Sequence, residues 1–319
     1  ASPCSPPTGT GAQRERRTTM PRSFRIQIHP GCGVEFVTFH IALGSEEAIH
    51  PNQTLEHNEY LANIDLMLTS ARMFHPRMKA TVLTDMHTDL AGISFSVRRV
   101  AMELNSRQLM LERAIAELRY VVQSELSTPM ILLDSDILIN GSLVPLCAQE
   151  FDVALTWRAN RDMPINGGFL VLNNLRPEVS KNFFKRYVSL YREKYAEKAD
   201  WFGDQLALRD CIGLSHEQMA DREVVEVDGC RVRLLPCETY NFSPHNQYRS
   251  ICSNLSEKVV LHFKGQRKRL MVHFWNAWLN PVRSPLPWVK LNGWLERRWL
   301  RRQLEQERHD AMAAGEKWV

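Results

Sequence analysis

The chain has 319 residues, 44% hydrophobic and 24% charged, with a formal net charge of +4. This balance describes a water-soluble globular protein of one large domain or two small ones, and rules out a highly charged disordered chain. No run of about 18 apolar residues is present, so no helix is expected to span a bilayer, and the start has no apolar stretch of the signal-peptide kind.

The seven cysteines, Cys4, Cys32, Cys147, Cys211, Cys230, Cys237 and Cys252, are scattered and form no C-x-x-C pair. That argues against structural zinc and for reduced thiols in a cytoplasmic enzyme, with a Cys230–Cys237 disulfide disfavoured.

Residues 1–22 are polar and rich in Pro and Arg, and are predicted to be a disordered extension with Met20 as the expected initiator. Val34 to Leu43 is β-rich. Tyr60, Leu61, Ile64, Leu68, Ala71 and Phe74 then recur at helical spacing. Ala80 to Leu83 reads as a short buried strand ending at Thr84-Asp85, and Ile93 to Val100 as another. Leu109 to Val122 is helical, and Pro129 to Leu133 is again a strand. Apolar strands separated by amphipathic helices predict a parallel sheet covered on both faces, with ligands outside the carboxyl ends of the strands.

Further on, Asn166-Gly167-Gly168 is predicted to be a turn before a strand at Phe169 to Leu172. Pro177 to Tyr195 reads as a charged amphipathic helix, and Phe202 to Asp210 opens another. Val224 to Leu235 is β-rich with a turn at Asp228-Gly229. Val259 to Phe263 is a short strand entering a basic loop, and the last forty residues are helical and basic. The chain divides into a catalytic domain at 23–270 and a tail at 271–319.

Chemistry concentrates at four places. The apolar run Ile131-Leu132-Leu133 meets two carboxylates at i, i+2, Asp134 and Asp136, and turns apolar again at Ile137. Two ionised carboxylates at the end of a buried strand repel each other unless a cation sits between them. Hard oxygen ligands of this kind suit Mn2+ or Mg2+. The alternative is an edge-strand Asp beside an Asx-turn Asp. The second place is His262-Phe263-Lys264-Gly265-Gln266-Arg267-Lys268, where an imidazole completes a carboxylate metal shell, a glycine admits a phosphate, and cations balance it. A solvated basic loop is the alternative. Asn166-Gly167-Gly168 marks either a tight turn or a place where ligand meets backbone. Gly203-Asp204-Gln205 opens a helix, where Asp204 also suits the helix N-terminus.

The order of the four resembles the GT-A glycosyltransferases, most closely glycosyltransferase family 8 and its lipopolysaccharide-sugar-transferring relatives. The family's D-x-D is here Asp134-Ser135-Asp136, its N-x-G-type turn Asn166-Gly167-Gly168, its D-Q pair Asp204-Gln205, and its H-x-x-G-x-x-K loop His262, Gly265 and Lys268. The resemblance covers roughly Val34 to Lys268, and departs where the family places Pro-Trp after its Lys and this chain has Arg269-Leu270. It implies an α/β GT-A (nucleotide-diphospho-sugar transferase) Rossmann-like fold with a mixed, mainly parallel central sheet. It implies Mn2+, or Mg2+, held by Asp134, Asp136 and His262 between the phosphates of a nucleotide-sugar donor. Lys268 and Gly265 would touch the diphosphate. Arg113, with Arg119 as a rival by spacing, would contact donor phosphate or sugar, and Ser135 and Gly167 belong to the same donor surface. Asn166, Asp204 and Gln205 would act at the sugar, with Gln205 stabilising positive charge at the anomeric carbon. Thr38, Phe39, His40 and Asp85 would lie around the base. The His ligand resembles the retaining class, and the acceptor would be a glycan or a lipid-linked sugar.

Two rival classes are a non-catalytic binding protein on the same fold and a nucleotidyltransferase. The intact Asp pair and His argue against the first. The position of Gly31-Cys32-Gly33 before the first strand, not after it, argues against the second. No nucleic-acid motif is present. From Lys264 to Arg302 there are ten Lys and Arg against one acid, Glu296, and five of the eight Trp. Trp288, Leu291, Trp294, Leu295, Trp299 and Leu300 are predicted to form one apolar helix face, bordered by Lys290, Arg297, Arg298, Arg301 and Arg302. That face either packs on the catalytic domain or rests on an anionic membrane surface at the cytoplasmic side.

Overall fold

β-Branched and aromatic runs build ten strands, and a computed structural model describes them within residues 33–43, 55–197, 201–244 and 255–313. The N-terminal extension with Met20, the loop residues Gly31 and Cys32, and the cysteines Cys4 and Cys252 lie outside the described residues.

The strands are β1 (Glu35–Phe39), β2 (Lys79–Asp85), β3 (Arg98–Met102), β4 (Met130–Leu133), β5 (Ile137–Ile139), β6 (Val153–Trp157), β7 (Ile165–Leu172), β8 (Val224–Val227), β9 (Cys230–Pro236) and β10 (Val260–His262). Between them run α1 (His57–Phe74), α2 (Leu109–Gln123), α3 (Val144–Cys147), α4 (Pro177–Lys194), α5 (Gly203–Ile212), α6 (His216–Ala220) and α7 (Cys237–Tyr240). Eight strands form one sheet in the order β3-β2-β1-β4-β7-β6-β9-β8, while β5 and β10 pair separately. Four of the seven neighbouring pairs in the large sheet are parallel, so the sheet is mixed and mainly parallel.

Alternation assigns the two faces. Along β4, Ile131 and Leu133 join one core with Phe36, Val82 and α1. Met130 and Leu132 point the other way, to Val37, Leu83, α2, α4 and α5. A strand buried on both faces needs such an unbroken apolar run. The hairpin between β8 and β9 turns on Asp228 (φ 48°) and Gly229 (φ 75°), the paired left-handed residues that suit the twist of a two-residue loop. Cys230 and Cys237 are both free thiols, in line with the disfavoured disulfide.

Two expectations are corrected. The strand expected from Ile93 starts only at Arg98. Ile93 and Phe95 instead pack as a loop plug on the α1 side of the core, and Asp65 accepts from Phe95 N (3.0 Å) and from Ser94 Oγ. Asn166-Gly167-Gly168 is not a turn before a strand but part of β7. The glycines serve close approach to the site rather than reversal of the chain.

Beyond β10, Met271, Phe274, Trp275, Trp278 and Leu279 join the α1-side core through three successive short helical segments ending at Arg283. The C-terminal helix, Pro287–Ala313, packs on them through Gly293, Leu300 and Leu304. A Cβ at Gly293 would lie 2.1 Å from Pro281 Cγ. The expected single face divides accordingly. Leu300 is buried, whereas Trp288, Leu291, Trp294, Leu295 and Trp299 are exposed, Trp288 to 60% and Trp299 to 44%. Positions 293, 300 and 304 fall on one helical stripe at spacings of seven and four, and the Trp residues fall on another. No described helix is long and apolar enough to cross a membrane.

Candidate functional site

Sheet topology brings the sequence motifs together. β1 and β4 run parallel and end side by side at Phe39 and Leu133, with β2 beyond β1. β7 is antiparallel to β4 and longer, so Asn166 to Gly168 project past the end of β4, and Asp134 N donates to Gly168 O at 3.0 Å. The chain then leaves the sheet through Ser135 and Asp136 into β5. There His262 of β10 stands opposite Ile137. Both acids and the imidazole therefore converge at one sheet edge.

The distances are those of a ligand set. His262 Nε2 lies 3.1 Å from Asp136 Oδ1 and 3.3 Å from Asp134 Oδ2. One ligand atom from each of the three falls within 4.8 Å of the others. The other imidazole nitrogen is committed: His262 Nδ1 is 2.8 Å from Asn241 Oδ1. Asn241 Nδ2 donates to Thr156 Oγ1 and to Asn166 Oδ1, both at 2.8 Å. Thr156 Oγ1 itself donates to Asn166 O, and Asn166 Oδ1 also accepts from Gly168 N. Every other bond in this buried network fixes Asn241 with its oxygen towards the imidazole. Nδ1 of His262 therefore donates to Asn241, and Nε2 is the nitrogen that faces the carboxylates. Two carboxylate oxygens and one such nitrogen fit a divalent cation of the Mn2+ or Mg2+ kind.

Cations and acids surround this set. Arg113 Nη1 is 2.5 Å from Asp134 Oδ1, its Nε is 2.9 Å from Glu117, and its Nη2 donates to Gly167 O. Arg119, the rival by spacing, is exposed on the far side of α2. Lys268 Nζ stands 3.7 Å from Asp136 Oδ2 and within reach of the Tyr60 hydroxyl. Burial opposes the charge on Asp134, but Arg113, His262 and Lys268 together outweigh it and hold its carboxyl well below the usual range. Asp204 behaves oppositely. Burial pushes its pKa up to about 6 against the pull of Arg113, with the Asp134 charge adding to the rise, and its Oδ1 has no hydrogen-bond partner among the described residues. Gln205 Oε1 accepts from Arg158 at 3.2 Å and Asn166 at 3.5 Å.

Both motif glycines are spacing devices. A Cβ at Gly168 would lie 2.3 Å from His262 Cε1 and 2.6 Å from Asp134 Oδ2, and one at Gly167 would lie 2.7 Å from Asp204 Oδ2. Gly265 takes φ 58°, the left-handed bend that turns the basic loop back over the site.

These groups line a cleft of about 730 Å³. Of the residues expected in it, Phe39, His40, Arg113, Asp134, Ser135, Asp136, Asn166, Asp204, Gln205, His262, Gly265 and Lys268 are present. Three are not, and the expectations are corrected. Thr38 is buried within β1 between β2 and β4. Asp85 caps the turn after β2, accepting from His87 N and Thr88 N. Gly167 reaches Arg113 through its carbonyl, behind the cleft wall. Residues not foreseen include His57, Tyr60, Arg158, Trp201 and, beneath the floor, Asn241, while Lys264 of the basic loop lines the cleft as well. His40 and His57 stack at 5.3 Å, with Tyr60 beside them. His57 Nε2 donates to Asp89 O, and its Nδ1 lies 3.1 Å from His40 Nε2. Burial, then the neighbouring His57, lowers the His40 pKa to about 4 against the pull of Asp85, so His40 is uncharged at neutral pH.

No protein-family model matches the chain, and no curated protein matches it in sequence. Among solved structures it is similar to the galactosyltransferase LgtC in complex with donor and acceptor sugar analogues, at 13% identity over 73% of this chain and 87% of that one, with a TM-score of 0.45. It is also similar to the bifunctional glycosyltransferase WbbM, at 11% identity over 82% and 51% with a TM-score of 0.47. A third is the glycosyltransferase GlyE of Streptococcus pneumoniae, at 13% identity over 76% and 60% with a TM-score of 0.44.

Proposed function

We propose that this protein is a metal-dependent glycosyltransferase that moves a sugar from a nucleotide-diphosphate donor to a glycan or lipid-linked acceptor with retention of configuration. The observation that carries this reading is the convergence of Asp134, Asp136 and His262, three residues brought from two separate stretches of the chain, beside Arg113 and Lys268. Such a set suits a dianionic diphosphate better than any neutral ligand. Asp134, Asp136 and His262 would hold a divalent cation, which would supply Lewis-acid charge to a departing diphosphate. The residues of the chain do the rest. Arg113 holds Asp134 in place, Lys268 and the Gly265 backbone meet phosphate oxygens, and the aromatic His40–His57–Tyr60 wall takes the base. Asn166 and Arg158 fix Gln205, and Gln205 with Asp204 faces the reacting sugar.

Thermal unfolding against a panel of nucleotide-sugars, with and without Mn2+, tests this reading. One donor class should raise the midpoint only when Mn2+ is present, by the amount that mass action sets. With that donor, Gln205→Ala should lower turnover more than donor affinity, since its interaction belongs to the transition state. Absence of any Mn2+-dependent donor effect removes the transferase reading.

The exposed Trp288, Leu291, Trp294, Leu295 and Trp299, with Lys290, Arg298 and Arg302 alongside, support peripheral attachment to an anionic membrane on its cytoplasmic face. Each basic side chain at such a surface contributes about 1 kcal/mol. Aromatic rings suit the headgroup level. Sedimentation with anionic vesicles should carry the protein down at low salt and release it at high salt. Equal, negligible binding to anionic and neutral vesicles ends this reading.

A further inference from the structure

Two of the four cations in the cleft lie within salt-bridge distance of no acid among the described residues. Arg113 is paired with Glu117 and Asp134, and Lys268 with Asp136. Arg158 donates only to neutral oxygens, Met163 O at 2.7 Å and Gln205 Oε1 at 3.2 Å. Neither Arg158 nor Lys264 forms a salt bridge among the described residues. Both are half-buried and both line the cleft; Arg158 is near enough for its charge to act on Lys264, as are Asp134 and Asp136, though neither acid pairs with it directly. Two like charges held together in a partly desolvated wall repel, and an anion between them removes the cost.

Their place indicates which anion. Arg158 follows β6 and grips Gln205, whereas Lys268 sits by Asp136 and Tyr60. Gly265, at its left-handed bend, separates Lys264 from Lys268 within the basic loop. The charges of Arg158 and of Asp134 and Asp136 all reach Lys264, so it stands on the stretch of cleft wall between the acids and the Gln205 side.

We propose that Lys264 and Arg158 form a subsite for a sugar bearing an anionic group, a carboxylate or a phosphate ester, carried by either the transferred sugar or the acceptor. This rests on the transferase reading for its placement beside the reacting sugar, but binding at the subsite can be measured separately. A guanidinium offers a two-pronged match to a carboxylate or phosphate, and an ammonium adds a point charge.

Calorimetry on the full chain with Mn2+ tests it in three arms. The first titrates nucleoside diphosphates alone. The second compares neutral and uronate nucleotide-sugars in matched pairs, UDP-glucose with UDP-glucuronate and GDP-mannose with GDP-mannuronate. The third, which needs no nucleotide, compares methyl glucoside with methyl glucuronide and glucose with glucose 6-phosphate. The anionic member should bind about tenfold tighter in the second or third arm, the step expected of one charge-assisted contact. The arm that shows it tells donor from acceptor. Lys264→Gln should remove the preference and leave nucleoside diphosphate affinity within about twofold, and Lys264→Arg should restore it. No preference in either arm overturns the subsite. So does an equal loss for the bare nucleoside diphosphate, which would make Lys264 a diphosphate contact. Anionic-sugar binding with no nucleotide binding would keep the subsite and defeat the transferase reading.

Discussion

Asp136→Asn should abolish sugar transfer and weaken Mn2+ binding at least about a hundredfold, while the protein stays folded. The substitution keeps the side chain's volume and one acceptor oxygen but removes a charge from the cation's shell. The fold tolerates it because Asp136 sits where the sheet has ended. Its neighbours His262 Nε2 at 3.1 Å and Lys268 Nζ at 3.7 Å belong to the cleft, not to the core. The carboxylate is nonetheless favoured in the folded state. Burial opposes its charge, His262 and Lys268 outweigh burial, and the pKa lies below its ordinary value. A depressed folded-state pKa means the ionised group adds stability above the unfolded pKa and loses it as pH falls through the folded one. The variant should therefore be slightly less stable at neutral pH, by about 1 kcal/mol, the common size of a point substitution. Paramagnetic resonance of free Mn2+ reads the binding, and urea unfolding reads the stability. Unchanged Mn2+ affinity would remove Asp136 from the ligand set. A collapse of the fold would make it structural.

The convergence of Asp134, Asp136 and His262 was readable in the sequence because its elements are short, apolar and abruptly ended. Ile131 to Leu133 has nowhere to go but a sheet interior, and the same holds for Val260 and Leu261. Asp134 and Asp136 fall just past one such strand and His262 closes the other, so the three were identifiable as candidate ligands without coordinates. The strand-end rule gives location but not facing, and there it misplaced two residues. Thr38 is one step too early and remains inside β1, while its neighbours Phe39 and His40 line the cleft. Asp85 ends β2 as expected, but its carboxylate is spent on the amides of His87 and Thr88. Asn241 left no local signal at all. Its role depends on three partners, at positions 156, 166 and 262, brought together by the pairing of β6 with β7 and of β10 with β5. Arg158 is an ordinary surface-type residue in sequence, and only the cleft shows that it lies with Lys264 of the basic loop, neither in a salt bridge among the described residues. The Trp-rich tail was read correctly as helical, but the stripe that packs is set by Gly293 and Pro281, a contact between two small rigid surfaces that hydrophobic periodicity does not register.

Gly168→Ala should be nearly as damaging to Mn2+ binding as loss of a ligand, though it removes no ligand atom. Gly168 lies in β7, and its backbone is not in the left-handed region, so alanine meets no conformational obstacle there. The obstacle is space. The added methyl would stand 2.3 Å from His262 Cε1, 2.8 Å from His262 Nδ1 and 2.6 Å from Asp134 Oδ2. The imidazole cannot swing aside without breaking its bond to Asn241, which Thr156 and Asn166 hold in turn. Asp134 cannot retreat without leaving Arg113. Overpacking of this kind costs about 1–3 kcal/mol. Here the strain falls on two of the three ligands, so it should appear both as a lower unfolding midpoint and as a Mn2+ affinity reduced at least about tenfold. Gly167→Ala is the control on the same strand. Its methyl would meet Asp204 Oδ2 at 2.7 Å and no metal ligand. That variant should keep Mn2+ affinity and lose turnover, because Asp204 and the adjoining Gln205 face the sugar. Wild-type Mn2+ binding by Gly168→Ala would show that the site relaxes around the methyl, and would deny the glycine its role as the spacer that lets β7 pass beneath the metal.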